Sequence, residues 1–455
     1  MNDNWTGKKI QRGLYLVFIC LSAALGGLLF GFDTAVISGA EGMFTKEFGL
    51  SAVLEGWVTS SALVGCLFGA LMAGWLSDRF GRKKLLLLAA VCFALSAVWC
   101  GLSPSPLHLV LARLVGGLGI GIASLVSPLY IAEISPPRSR GILVALQQLA
   151  IVLGILGAFL SNNIVLQTTL SDAAKWRCMF AVGAVPAVLF LIMIFPIPES
   201  PRWLTKQGLV EKARGILGRV VDPAEADREM MQIIDAIAHE GGTLTELWKP
   251  GLRRALFVGI TLMVFTQFTG IAAIMYYAPK IFTQAGVGAA DAYSQTVWVG
   301  LVNLIFTLMA MSVLDRLGRK PLLLIGIACM GAALAFVGYA FHAKIAGFSV
   351  LFGVLAYVGS FAVSLGAVSW VLVSEIYPTR TRGRAMSLAT AAVWASCFLV
   401  SQTFPLLLKH IGPAATFWTY GTMCILAIVF VWHCVPETKG RSLEEIERSW
   451  DLKYK

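Results

Sequence analysis

Runs of about twenty apolar residues recur along this chain from residue 14 to residue 435, and no other feature constrains its fold as strongly. About 20 residues let an α-helix cross the hydrocarbon core of a bilayer while satisfying its own backbone. The runs lie near 14–39, 51–76, 84–103, 107–134, 141–165 and 176–196. After a polar stretch, 199–252, they resume near 253–284, 293–314, 321–342, 346–376, 384–408 and 414–435. The pattern predicts an all-α membrane protein with twelve transmembrane helices, six in each half. Charged residues are 13% of the 455, about half the share of a soluble domain, which fits a chain whose solvent is lipid.

Basic residues orient the spans. Of the 36 lysines and arginines, 29 fall in the segments 1–13, 77–84, 135–140, 199–254, 315–320, 379–384 and 436–455. Cytoplasmic segments carry such an excess, so both termini are expected inside, in a multi-pass protein of the cell membrane. The formal charge of +11 sits in these short clusters and does not indicate nucleic acid. The first run is too long for a signal-peptide core and reads as a retained span. The nine cysteines form no CxxC pair and read as small buried hydrophobes.

The segment 199–252 mixes both signs of charge, and Met230, Ile233, Ile234 and Ile237 recur at helical spacing. Short amphipathic surface helices are expected there. The chain therefore divides into a six-helix bundle at 1–198, a cytoplasmic linker at 199–252, a second bundle at 253–435 and a tail at 436–455.

Three patterns occur twice at nearly one offset. Asp78-Arg-Phe-Gly-Arg82-Lys returns 237 residues later as Asp315-Arg-Leu-Gly-Arg319-Lys. Glu133, with Arg140 seven residues on, returns as Glu375 with Arg382, and Pro198-Glu199-Ser200 returns as Pro436-Glu437-Thr438. A duplicated six-helix unit follows, with a substrate held where the halves meet, as in secondary transporters. The acids Glu133, Glu199, Glu375 and Glu437 can pair with the loop arginines and latch the cytoplasmic side, or the charges can simply anchor loops at the interface.

These residues, with Pro198-Glu-Ser-Pro-Arg-Trp203 and Pro436-Glu-Thr-Lys-Gly440, carry a resemblance to the sugar-porter branch of the major facilitator superfamily. It extends from Gly26 to about Trp450 and is similar to bacterial proton–sugar symporters of the xylose and galactose type. It implies two pseudo-symmetric six-helix bundles, alternating access, a small sugar or polyol and a proton as partners, no cofactor, and action as a monomer. A facilitative uniporter and a sugar sensor on the same scaffold are the alternatives.

Asp33 and Arg113 are charges inside spans one and four, each six residues from the expected outer end and so roughly 9 Å deep. An unpaired charge there costs at least about 2.5–3.5 kcal/mol, so the two are expected to pair. A carboxylate beside a vestibule can also exchange a proton, whereas a static ion pair would only fix two helices. The resemblance implies the proton-coupling role.

A sugar needs amides and hydroxyls for its own hydroxyl groups and aromatic faces for its C–H surfaces. The resemblance implies Phe30, Gln148, Gln267, Tyr276, Asn303, Gly366, Trp370 and Trp394 as the binding set. Gly270 and Pro279 in span seven, and Gly359, Gly366 and Pro378 around span ten, are places where the backbone can bend beside a cavity. Thr266, Ala272 and Val393 depart from the family pattern, removing amides that would meet ring hydroxyls, so a deoxy sugar, an anhydro sugar or a polyol enters consideration. No phosphate loop, metal cluster or nucleophile constellation argues for an enzyme; His108, His239, His342, His410 and His433 are scattered at loops and span ends.

Overall fold

The computed structural model describes residues 2–238, 248, 250–345, 347–377 and 381–439, apart from the side chains of 2–10, 250, 251 and 315. The first half holds α1 (Asn2–Phe48), α2 (Ala52–Phe80), α3 (Arg82–Gly101), α4 (Pro106–Ile134), α5 (Arg140–Leu166), and α6 (Asp172–Val182) continued by α7 (Ala184–Ile194). Then come the short helices α8 (Pro201–Lys206), α9 (Val210–Val220) and α10 (Pro223–Ala238). The second half holds α11 (Pro250–Phe268), α12 (Ile271–Gln284), α13 (Ala289–Leu317), α14 (Arg319–His342), α15 (Phe348–Phe361), a π turn at Ala362–Gly366, α16 (Ala367–Ile376) and α17 (Arg382–Cys434).

Eleven helical stretches among the described residues are long and apolar enough to cross a membrane. The last of them, at 53 residues, is two spans, because Gly412 has φ 76° and Pro413 follows it. Twelve spans result, six on each side of the short helices. Ser51 and Ser171 cap the starts of α2 and α6 by accepting from Leu54 N and Ala174 N, which satisfies donors that a helix start leaves free.

Lipid supplies no hydrophobic force between helices, so close backbone approach must hold them together. A Cβ added at Gly31 of α1 would lie 1.9 Å from the carbonyl oxygen of Ile151 in α5, and one at Gly154 would lie 2.0 Å from that of Leu28. The two helices therefore touch backbone to backbone along the first bundle.

Among the described residues, the turns at Gly81 and Gly318 and the segments at Glu199 and Glu437 lie at one end of the bundles, here the basic end; the opposite one is the far end. Packing of α17 on α2, α13 on α5 and α12 on α1 joins the halves. Polar bonds between them cluster toward the far end. Ser60 donates to Gln402 Oε1 (3.1 Å), Gln402 Nε2 donates to the Val53 carbonyl (3.0 Å), and Tyr293 donates to the Gly39 carbonyl (2.6 Å).

Span one differs from expectation. Its helix does not end near residue 39 but runs to Phe48. Trp176 Nε1 and Arg177 both donate to Glu47 (2.6 and 2.9 Å), and these bonds hold the polar extra turns in place. Asp33 is thus two turns further from the helix end than the apolar run implied. Among the cysteines, Cys20, Cys66, Cys100, Cys397 and Cys424 are buried, while Cys329 is exposed.

Candidate functional site

Asp33 and Arg113 meet. Arg113 Nη1 donates to Asp33 Oδ2 at 2.7 Å and approaches the Asp33 carbonyl at 3.4 Å. The arginine is fully buried, its guanidinium 5.7 Å from the Phe180 ring, and its Nε and Nη2 have no partner. The Asp33 side chain keeps 18% exposure and faces a small cavity lined also by Leu29, Val36, Phe93, Cys100 and Phe180. The pair thus joins a fully buried cation to a partly exposed carboxylate beside a water-sized cavity.

Of the expected amide and aromatic set, Phe30 and Trp394 are in contact where the halves meet. Phe30 on α1 and Trp394 on α17 contact edge to face, with centroids 5.3 Å apart, across the two halves. Trp394 Nε1 is buried without a partner, which leaves a directed donor beside the interface. Tyr276 on α12 is buried. Asn303 on α13 is buried, Gln267 is half-buried with Nε2 toward Thr266 Oγ1 (3.4 Å), and Gln148 is half-buried on α5. Gly366 closes the π turn, and Trp370, four residues on, is exposed.

Two backbone breaks bound this region. Gly270, at φ 102°, separates α11 from α12, and Tyr277 leaves helical geometry two residues before Pro279. The π turn interrupts span ten just below Phe361. Pro378 lies outside the described residues. The three departing positions offer a ligand little: Thr266 donates to its own helix at the Met263 carbonyl (2.6 Å), and Ala272 and Val393 are buried apolar groups.

At the basic end the sequence repeat becomes repeated geometry. Arg82 grips Glu133 through Nε and Nη2, both at 2.9 Å, and Arg319 grips Glu375 the same way at 3.2 and 2.8 Å. Ser200 and Thr438 donate to those two glutamates at 2.5 and 2.6 Å. Asp78 adds a bond to Arg82 Nη1 (3.1 Å); the Asp315 side chain lies outside the described residues.

Glu199 and Glu437 do something other than the expected pairing with arginine side chains. Each accepts backbone N–H groups at the start of a helix: Arg82 and Lys83 for Glu199 (2.9 and 3.1 Å), Arg319 and Lys320 for Glu437 (3.1 and 3.0 Å). A carboxylate there meets both free donors and the positive end of the helix dipole. Burial pushes the Glu437 carboxyl up, but the backbone N–H groups of Lys439, Arg319, Lys320 and Thr438 outweigh it and hold the group below its ordinary value. A Cβ at Gly81 would lie 2.3 Å from Glu199 Oε2, and one at Gly318 would lie 2.9 Å from Glu437 Oε2, so only glycine admits the cap. Arg140 and Arg382 donate to the carbonyls of Ser135 (3.3 Å) and Tyr377 (3.2 Å). These bonds tie helix ends within a half and do not bridge the halves.

Sequence reasoning missed a third charge cluster. At the far end Lys280 on α12 contacts both Glu41 on α1 and Glu55 on α2, joining the halves. Each residue lies at a span end, where charge is unremarkable, and only Glu41, placed one residue after the small pair Gly39-Ala40, carried a hint of burial. Gln147, next to the expected Gln148, is a further candidate. It is the buried member of the pair, with both amide atoms unpartnered and a Cβ at Gly27 only 2.7 Å from its Nε2.

The family model described as "Sugar (and other) transporter" matches residues 19–450. The arabinose-proton symporter of Bacillus subtilis (strain 168) is 41% identical, over 96% of this chain and 95% of that one. The D-xylose-proton symporter of Escherichia coli (strain K12) is 39% identical over 97% of each. A solved structure of the xylose transporter XylE from E. coli, in a partially occluded inward-open conformation, superposes with a TM-score of 0.85 at 37% identity, covering 94% of this chain and 99% of that one. With twelve spans in two repeated bundles and a match over nearly its whole length, the chain belongs to the sugar transporter family of the major facilitator superfamily.

Proposed function

We propose that the protein imports a monosaccharide or related polyol together with a proton, by alternating access between its two bundles. The observation that carries this reading is the pairing of the fully buried Arg113 with a partly exposed Asp33 beside a cavity. Proton loss from Asp33 strengthens its attraction to Arg113, and proton gain weakens it. Phe30, one turn before Asp33 on α1 and in contact with Trp394 of the other half, gives the sugar site a route to sense that change.

The basic end is read as cytoplasmic, with both termini inside, from the excess of lysine and arginine. The bundles 1–198 and 253–435, the linker 199–252 and the tail 436–455 are the working units, and one chain contains a full site. Among the described residues, the hydrogen bonds and ion pairs that join the halves lie toward the far end, and the two arginine–glutamate clamps at the basic end stay within each half, which supports an inward-facing state. Phe30, Gln148, Gln267, Tyr276, Asn303, Gly366, Trp370 and Trp394 are assigned to the substrate. Buried Ala272 and Val393, together with Thr266 bonded to its own helix, favour a ligand with few hydroxyls toward the second bundle.

The test is uptake into proteoliposomes holding the purified protein, with and without an inward proton gradient, across a panel containing D-xylose, L-arabinose, D-galactose, deoxy sugars, anhydro sugars and polyols. Accumulation above the outside concentration that collapses with the gradient supports the reading. Equal uptake with and without the gradient rejects symport.

A further inference from the structure

The far-end cluster holds two carboxylates against one ammonium. The side chains of Glu41 and Glu55 retain only 4% and 7% exposure, and Lys280 retains 27%. Among the described residues, Lys280 is the one cation in contact with either acid. Arg177 on α6, the nearest arginine on a helix packed against α1, is committed to Glu47. The other titratable groups facing the cluster are neutral or acidic: Tyr277 on α12, whose ring is 5.9 Å from the Lys280 ammonium, Tyr293 on α13, which bonds the Gly39 carbonyl, and Asp172 at the start of α6. With both acids ionised, the closed cluster would carry an uncompensated buried negative charge, which costs several kcal/mol. Two carboxyl groups in mutual reach relieve that cost by sharing one proton.

We propose that Glu41, Glu55 and Lys280 form a second proton site, filled only while the far-end gate is closed. This rests on the alternating-access reading but not on the identity of the sugar or on Asp33. Closing brings Lys280 on α12 against α1 and α2 and takes one proton from the outer medium onto the carboxyl pair, so the cluster becomes neutral. Opening withdraws Lys280, wets both acids and returns the proton to the same medium. The proton enters and leaves on one side, so it adds nothing to transport stoichiometry. It does make gate closure depend on outer pH: acid outside favours the inward-open state, and alkali favours opening.

Hydrogen–deuterium exchange of the purified full chain, corrected for chemical exchange at each pH, reads the gate without any substrate. Peptides covering residues 38–58 and 276–288 should exchange faster as pH rises from 6 to 8, by up to about tenfold per pH unit, the limit for one linked proton. Glu41→Gln and Glu55→Gln each leave one carboxylate to one ammonium and should flatten that slope; Glu55→Asp should keep it. Asp33→Asn should also keep it, even if it abolishes coupled uptake, so failure of the transport reading and failure of this one are separable. A flat wild-type slope overturns the proposal. So does a slope that survives in both glutamine variants, or one that disappears in Asp33→Asn. Should Glu55→Gln fail to fold, Glu41→Gln carries the same test.

Discussion

Glu437 accepts the backbone N–H of Arg319 at 3.1 Å, and so the segment after the last span caps the helix that opens span nine. Glu199 accepts that of Arg82 at 2.9 Å in the first half. Each six-helix bundle is closed on itself by a carboxylate from its own exit segment, and the halves can tilt as units because these ties do not cross between them.

The cap gives a pH signature. The Glu437 carboxyl is held below its ordinary value of 4.5, so its contribution is complete above about pH 4.5 and fades as pH falls through the lower, folded value. The unfolding temperature of Glu437→Gln should lie below that of the wild type by a constant margin at pH 5–8. The two curves should converge in more acidic buffer, which thermal unfolding across that range checks.

Burial separates the two arginine clamps. Arg82 and Glu133 keep 7% and 5% side-chain exposure, whereas Arg319 and Glu375 keep 12% and 23%. Removing one partner of a buried pair strands the other and costs about 3–5 kcal/mol. Loss of a charged hydrogen bond in a wetter setting costs about 1.5–3 kcal/mol. Glu133→Gln should therefore lower the unfolding temperature more than Glu375→Gln, despite their equivalent places in the repeat.

Asp33→Asn keeps the shape of the side chain and removes its titration. Uphill accumulation should disappear while exchange of labelled sugar across the membrane continues, measured in the same proteoliposomes. A variant that still concentrates sugar would exclude Asp33 as the coupling group.

Gly270 sits at φ 102°, and a Cβ there would meet the Tyr420 ring at 2.8 Å. The backbone penalty for an L-residue in that region is about 1–2 kcal/mol before the clash is counted. Gly270→Ala should displace α12, which carries both Tyr276 and Lys280. Transport rate should fall and KM rise together, with folded yield reduced, as uptake kinetics and size-exclusion recovery would record.

What the sequence revealed was periodic or repeated. The apolar runs disclosed the spans, and the recurrence of Asp-Arg-x-Gly-Arg-Lys disclosed the duplication that the structure displays as two matching clamps. The cost of an unpaired charge inside a span pointed to the pairing of Asp33 with Arg113, although span one runs past the end its apolar residues mark, so depth counted from that end was not the reason the two meet. The roles of Glu199 and Glu437 were hidden because a cap is made to backbone, which carries no sequence signal. The far-end cluster was hidden because Glu41, Glu55 and Lys280 are distant along the chain and each sits at a span end, where polarity alone says nothing about burial. The first helix outran its apolar run because bonds to Glu47 continue it.

The π turn at Ala362–Gly366 has a mechanical consequence. A wide turn accommodates one residue more than regular winding, which corresponds to about 100° of rotation for everything beyond it. Tightening that coil would swing the Trp370 indole about a quarter of the way around the helix axis while both ends of the span stayed anchored, so the second bundle holds a built-in swivel one turn before that aromatic.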